Sequence, residues 1–391
     1  MTHKDSLAEF ATSKLRVLER RNLRRRIVET KPESAVEVIR DGKRFISFSS
    51  NDYLGFAQHP AIIAAAIEAT KEYGAGSGAS RLVTGNHPLF SQLEQKLARL
   101  KGTDDAVVIG SGYLTNIGII PTLIGAQDII FADELSHACI LSGNRLSGAT
   151  EYIYRHNDLD HLKELLSQHR TEHRHALLVS DGVFSMDGDL APVAALLELA
   201  EEFDAWLMTD DAHGIGVVGE GRGSCFVDGE HLQVPLQMGT LSKAIGSYGG
   251  YLCASQPVID FIRTRSRSFI YSTGLPPSAV GAAIAALDII SEEPDLVKEP
   301  IRKARIFTAA LNLPEAESAI VPIVLGDTER TMSAAKFLEN EGYLVVPIRP
   351  PTVPNGTSRL RVAFCAAHDD EDVNRLAELV HSFLEHDSAE R

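Results

Sequence analysis

Between about residue 105 and residue 254 the sequence alternates short, wholly apolar runs with longer amphipathic stretches, and this alternation restricts the possible folds more than any other feature. Ala106-Val107-Val108-Ile109 and Ala205-Trp206-Leu207-Met208-Thr209 are too short to be buried helices. They lack the polar-apolar alternation of a strand with one wet face, so they read as strands covered on both sides. The pattern predicts strands at 105–109, 128–131, 151–154, 176–180, 205–209, 234–239 and 250–254. Helices are predicted at 60–73, 88–100, 113–124, 137–147, 158–168 and 192–203. Repeated strand-helix units put helices on both faces of a mostly parallel sheet, an α/β fold.

The flanks differ. Residues 5–30 read as a charged helix ending before Pro32, followed by a short strand at 45–49. After a helical stretch from 277 to 312, strands at 319–324, 343–347 and 358–364 with helices at 328–341 and 369–386 form a compact α+β unit. No internal repeat or low-complexity linker separates the two parts.

Charge and cysteine usage narrow the function. With 38 basic and 53 acidic residues the net charge is -15, which argues against a general nucleic-acid binder. Cys139, Cys225, Cys253 and Cys365 stand far apart without a Cys-x-x-Cys spacing, so reduced thiols are expected. The charged start Met1-Thr2-His3-Lys4-Asp5 is unlike a signal peptide, and the apolar stretch 279–290 is too short to span a membrane and contains Asp288. A cytoplasmic location is the expectation.

In an open α/β sheet, ligands bind beyond the carboxyl ends of strands. Three segments fall there: 110–116, 181–188 and 210–214. Gly110-Ser111-Gly112-Tyr113 opens a helix, whose free amides suit a phosphate; taken alone it is equally an ordinary strand-to-helix turn. Thr115 stands where a dinucleotide fingerprint needs its third glycine. Asp210-Asp211-Ala212-His213-Gly214 ends a core strand, and Lys243 lies downstream in Gly239-Thr240-Leu241-Ser242-Lys243-Ala244. An amine beside small residues and a strand-end acid are what pyridoxal phosphate chemistry requires, one for a Schiff base and one for the pyridine nitrogen. Spacing does not choose between Asp210 and Asp211, and His213 is placed to donate to the cofactor's phenolic oxygen or to be a satisfied core histidine. His137 and Ser185 follow other core strands near the same edge. No Gly-x-Ser-x-Gly elbow, His-Glu-x-x-His motif or Walker loop is present, and His169, His173 and His175 fall in a polar loop, so no metal is expected. Arg20-Arg21-Asn22-Leu23-Arg24-Arg25-Arg26 is either a solvated helix face or a seat for a phosphate-bearing partner.

Asn51-Asp52-Tyr53-Leu54-Gly55, Gly74-Ala75-Gly76-Ser77-Gly78-Ala79-Ser80-Arg81, Asp181-Gly182-Val183-Phe184-Ser185-Met186-Asp187-Gly188 and Asp210-Asp211-Ala212-His213-Gly214, in that order, resemble the motifs of the α-oxoamine synthase family of pyridoxal phosphate enzymes. The resemblance runs close to full length. It implies the aspartate-aminotransferase-like fold type I, with a mostly parallel seven-stranded sheet and a smaller C-terminal α+β domain. The implied division is an N-terminal helical arm at 1–47, a large cofactor-binding domain at 48–285 and the C-terminal domain at 286–391.

By the same resemblance Lys243 carries the cofactor, Asp210 pairs with its ring nitrogen, His213 touches the phenolic oxygen and His137 stacks on the ring, these four being the catalytic set. Gly112, Tyr113, Ser185, Thr240 and Thr273 match cofactor-contacting positions, while Arg24, Asn51, His137, Thr352 and Arg361 match substrate-contacting ones, Arg361 for the carboxylate. The segment 348–361 and the short N-terminus are most similar to the biotin-pathway branch. That implies an acyltransferase condensing L-alanine with a pimeloyl thioester of CoA or acyl carrier protein, with loss of carbon dioxide. A sister reaction using glycine and another acyl-CoA is the alternative. Family members are homodimers with shared sites, which places Tyr271-Ser272-Thr273-Gly274 near the partner's phosphate seat.

Overall fold

In the computed structural model, which describes residues 5–20 and 23–389, the seven apolar runs form one sheet. Its strands are β1 (Asp105–Ile109), β2 (Ile129–Asp133), β3 (Thr150–Tyr154), β4 (Ala176–Asp181), β5 (Trp206–Asp210), β6 (Leu236–Thr240) and β7 (Gly250–Ala254), in the spatial order β1-β7-β6-β5-β4-β2-β3. Neighbours from β6 to β3 are parallel, whereas β7 runs antiparallel to both β6 and β1. Met1 to Lys4 of the charged start, and Arg21 and Asn22 of the basic cluster, lie outside the described residues.

Burial on both faces explains why these strands lack polar alternation. Along β4, Leu177 and Val179 enter a cluster with Val107, Ile130 and Met208, while Leu178 enters a second one with Ile129, Phe131 and Leu207. Each side chain points away from its neighbour, yet both directions lead into core. The register sets Asp181 opposite Asp210, and Gly250 opposite both Thr240 and Ile109. The carboxyl ends of β1 to β6 thus share one edge, and the site is built there.

The C-terminal unit holds a three-stranded antiparallel sheet, Ile320–Gly326, Ser358–Ala363 and Pro347–Ile348, packed with helices Pro294–Ala310, Thr328–Asn340 and Asp370–Ala389. Its core joins Phe48, Phe307, Val362, Phe364, Val373 and Leu376. Phe48 also stacks on His368 with ring centroids 3.9 Å apart. A further small sheet runs Lys31–Pro32, Glu37–Arg40, Lys43–Ser47 and Tyr343–Leu344, so the chain's beginning is hydrogen-bonded to its C-terminal unit.

Several elements differ from the sequence expectation. The N-terminal helix covers Ser6–Arg20, not 5–30. Arg24, Arg25 and Arg26 repel one another, β-branched Ile27, Val28 and Thr30 disfavour helix, and Pro32 holds Lys31 extended, so 23–30 carries no helix. The strand expected at 343–347 splits into Tyr343–Leu344 and Pro347–Ile348, because one half pairs with Ile46 and Ser47 and the other with Arg359 and Leu360. Helices Gln256–Arg265 and Arg267–Ile270 were not anticipated, although Ser255 at the N-cap and Pro257 in the first turn are a start signal. Among the described residues no helix is long and apolar enough to cross a membrane, and no group of His, Cys, Asp or Glu converges to hold a metal.

Candidate active site

The two adjacent acids after Thr209 separate cleanly. Asp210 ends β5 and keeps its carboxylate toward the edge, where Asn116 Nδ2 donates to Oδ2 at 2.7 Å and the Ala212 amide donates to Oδ1 at 2.9 Å. Asp211 points the other way and is fully buried against Lys101, whose Nζ donates to Oδ2 at 2.6 Å; the Ser224 amide donates to Oδ1 at 2.9 Å. A Cβ added to Gly182, Gly214 or Gly223 would come within 2.5 Å of that carboxylate, so these glycines are required by its close approach. Asp211 is committed to the scaffold, and Asp210 is the acid available at the edge.

Lys243 lies in the compact turn between β6 and β7. The turn is closed by Thr240 Oγ1 donating to the Gly249 carbonyl at 2.7 Å and by the Gly246 amide donating to the Lys243 carbonyl at 2.8 Å. Burial pushes the Lys243 amine down to about 8, with Asp210 and Asp181 opposing that fall. Its Nζ is 2.7 Å from His213 Nε2, and His213 Nδ1 is 2.6 Å from the Tyr53 hydroxyl. Arg361 Nη2 donates to that hydroxyl at 3.2 Å and its Nε donates to the Ser185 carbonyl at 2.5 Å. Burial, with Lys243 and Arg361 adding to it, holds His213 well below the usual histidine range, so the ring is neutral.

His137 caps the helix Ala138–Ser147. Its Nδ1 accepts from the Cys139 amide at 3.2 Å and lies 2.7 Å from Cys139 Sγ, while its own amide donates to Asp181 Oδ2 at 2.9 Å. Asn116 Nδ2 reaches Cys139 Sγ at 3.0 Å as well as Asp210, tying the starts of two helices to the end of β5. Burial, and then the neighbouring Asp210 charge, raise Asp181 well above the usual carboxylate range.

The helix Gly112–Leu123 begins against this edge, capped by Ser111 Oγ accepting from the Leu114 amide at 3.2 Å. A Cβ on Gly112 would sit 3.3 Å from Thr240 Cβ, so the glycine lets the helix start approach the lysine turn. Tyr113 is half exposed, its hydroxyl 3.4 Å from Ser142 Oγ. Asn51 Oδ1 accepts from the Tyr53 hydroxyl at 3.2 Å.

Other expected residues stand apart from this network. Arg24 is exposed and ion-paired to Glu19 at 3.2 Å, and it is Arg25 that donates to Thr352 Oγ1, at 3.1 Å. Thr273 is exposed and bridges to Ser80. His169 stacks on Tyr152 and His175 on Trp206.

Four residues of the network escaped sequence reasoning: Tyr53, Asn116, Cys139 and Asp181. Asp181 carried the same signal as Asp210, an acid at the end of an apolar strand. Asn116 is a polar residue in an otherwise apolar helix, four positions after Gly112, and Tyr53 lay inside a motif read only for Asn51. Nothing local marks Cys139.

This donor set fits pyridoxal phosphate. A buried amine near pKa 8 suits its aldehyde, and a buried carboxylate fixed by two donors suits its ring nitrogen. A neutral histidine suits its phenolic oxygen, and the first amides of the helix at Gly112 and Tyr113, which have no intrahelical partner, suit its phosphate.

Comparison with known proteins agrees. Residues 43–380 match the family described as aminotransferase class I and II. A serine palmitoyltransferase variant from S. paucimobilis, solved with a bound PLP-myriocin aldimine, superposes with a TM-score of 0.91 at 29% identity, covering 97% of this chain and 98% of that one. Fold and site therefore define a pyridoxal phosphate enzyme of fold type I. A putative 8-amino-7-oxononanoate synthase from Parvibaculum lavamentivorans is 61% identical, covering 96% of this chain and 97% of its own. An 8-amino-7-oxononanoate synthase from Beijerinckia indica is 57% identical, with 96% and 97% covered. The chain belongs to the class I and II aminotransferase family and, within it, to the 8-amino-7-oxononanoate synthase group.

Proposed function

We propose that the chain condenses L-alanine with a pimeloyl thioester, releasing carbon dioxide and the free thiol and yielding 8-amino-7-oxononanoate for biotin synthesis. The names of its relatives support the substrates. The single observation that carries the chemistry is the unbroken line from Arg361 through Tyr53 and His213 to Lys243 at the strand edge occupied by Asp210.

When bound, the cofactor supplies an electron sink for the amino acid's α-carbon. Asp210 would hold its ring nitrogen protonated, the Asn116 and Ala212 donors keeping that acid oriented. Arg361, anchored by Tyr53 and the Ser185 carbonyl, would seat the carboxylate of the incoming amino acid. Lys243, with its amine depressed to about 8, has a substantial neutral fraction near physiological pH and is suited to take the α-proton and later return it. His137 would cover the ring, and Gly112, Tyr113, Thr240 and a partner's Thr273 would hold the phosphate.

We further propose a homodimer in a reducing cytoplasm, with the arm 1–47, the cofactor-binding domain 48–285 and the C-terminal domain 286–391 as its parts. Leu146, Phe261 and Tyr271 are large apolar side chains exposed on one face with Leu114 and Ile117 beside them, the composition expected where a second copy packs. All four cysteines are buried without a disulfide.

The test is thiol release from pimeloyl-CoA and from pimeloyl acyl carrier protein, each with L-alanine or glycine. Release with alanine on at least one carrier is expected, and its loss in Lys243→Ala. Release with glycine and not alanine would transfer the chain to the sister reaction.

A further inference from the structure

The loop 182–190, which follows β4, is fastened both to the C-terminal unit and to the sheet. From the C-terminal unit, Arg361 Nε donates to the Ser185 carbonyl at 2.5 Å, and Ser318 Oγ donates to the Gly188 carbonyl at 2.6 Å. Arg359 Nη1 donates to the Met186 carbonyl at 3.2 Å and pairs with Asp187. From the sheet comes His156, two residues beyond the end of β3. Its Nδ1 is 3.0 Å from Asp133 Oδ1, and its Nε2 is 2.7 Å from Asp189 Oδ2 in the loop.

Asp133 is fully buried at the end of β2, and each of its oxygens accepts a backbone amide, from Leu135 at 2.8 Å and from Asn157 at 2.9 Å. Asp189 Oδ2 also accepts from Asn157 Nδ2 at 3.2 Å. Carboxylates held in this way only accept, so both ring nitrogens of His156 donate and the ring is a cation. Burial alone would make the ring easier to deprotonate. The hydrogen bonds and charges of Asp133 and Asp189 outweigh it and raise the ring to about 10. Glu134 adds a further negative charge, its Oε1 accepting the His156 amide at 2.9 Å, and Phe184 of the loop meets the ring edge-on with centroids 4.4 Å apart.

We infer that His156 is a positioning residue: its imidazolium ties the loop 182–190 to the ends of β2 and β3, and so fixes the Ser185 carbonyl that aims Arg361 at the amino-acid carboxylate. This rests on the proposed function, in which Arg361 is the carboxylate seat. Arg361 keeps a second anchor in the Tyr53 hydroxyl at 3.2 Å, so releasing the loop loosens the guanidinium without freeing it.

Asp189→Asn cuts the link on the loop side, at a side chain that is 34% exposed, and leaves the strand end intact. In that variant and in His156→Gln the Michaelis constant for L-alanine rises roughly tenfold with a smaller change in kcat, as when a charged hydrogen bond is loosened. In an Arg361→Lys background neither substitution adds more than about twofold, because residues that act through one another are not additive. An unchanged Michaelis constant, a kcat that falls as far as the constant rises, or full additivity with Arg361→Lys overturns the inference.

Two spectra of the full-length chain, free of cofactor, read the same link without turnover. With histidine labelled with nitrogen-15, the ring signal lost in His156→Gln should remain that of the charged form up to about pH 8, and a native midpoint near the ordinary value of about 6.5 overturns the inference. Should His156→Gln not fold, the signal is identified by its lower midpoint in Asp189→Asn. With arginine labelled, the Arg361 Nε–H signal, identified by its loss in Arg361→Lys, should exchange with solvent faster in Asp189→Asn than in the native chain, and equal rates overturn the inference. Failure of the native chain to act on L-alanine would instead strike the proposed function, and both spectra would still decide whether His156 holds the loop against Arg361.

Discussion

At the residue scale the two acids at 210 and 211 have identical chemistry and opposite employment. Successive side chains at a strand end face opposite sides of the sheet, so one acid meets the site and the other the interior. Sequence spacing left the choice open because the deciding partner of Asp211, Lys101, is 110 residues away in the chain. Asp210→Asn is expected to bind the cofactor and lose at least about a hundredfold in turnover, as when one pre-organised electrostatic partner is removed. Asp211→Asn is expected to lose stability before it loses chemistry. Turnover and melting temperature on both variants check this, and the reverse outcome would exchange the two roles.

The amine of Lys243 offers a pH test at the same scale. An ordinary lysine becomes neutral only near 10.5, whereas burial brings this one to about 8, so the reactive neutral form gains at lower pH. The rate of cofactor capture by the cofactor-free chain should climb with pH and level off just above 8. A rate still rising tenfold per pH unit between 9 and 10, as for an exposed amine, would contradict the burial argument.

At the scale of elements, the site depends on how strand ends, helix starts and turns are fastened together. Lys101 ends the helix Pro88–Lys101 and reaches across to Asp211, donating also to the Arg222 carbonyl at 2.6 Å. Both charged side chains are fully buried, and removing one member of such a pair leaves an uncompensated charge. Lys101→Met should therefore destabilise the fold by about 3–5 kcal/mol in urea unfolding. A loss below about 1 kcal/mol would mean that the pair is solvated. Most elements were legible because long apolar periodicities survive burial. The split strand at 343–348 was not, since its limits are set by partners distant in sequence, while the helices at 256–270 have only the local signal of Ser255 and Pro257 to mark them.

Across the whole molecule, the order β1-β7-β6-β5-β4-β2-β3 collects six strand carboxyl ends on one edge, and the remaining expected contacts lie off that edge. Arg24, Thr352 and Thr273 came from resemblance alone, and within one chain none of them is hydrogen-bonded to the Lys243 network. A second copy is the economical way to bring Thr273 to a site. Phe261→Asp/Tyr271→Asp should convert the proposed dimer to a monomer in light scattering and remove most activity. A fully active monomer would show that each chain is self-sufficient.

The central claim is decarboxylative carbon-carbon bond formation on L-alanine, and carboxyl-labelled alanine tests it most directly. With L-alanine carrying carbon-13 in its carboxyl group and a pimeloyl thioester, mass spectrometry should find the label in carbon dioxide, and an unlabelled amino ketone in amounts equal to the released thiol. An amino ketone that keeps the label, or labelled alanine recovered unchanged beside free thiol, would contradict the account.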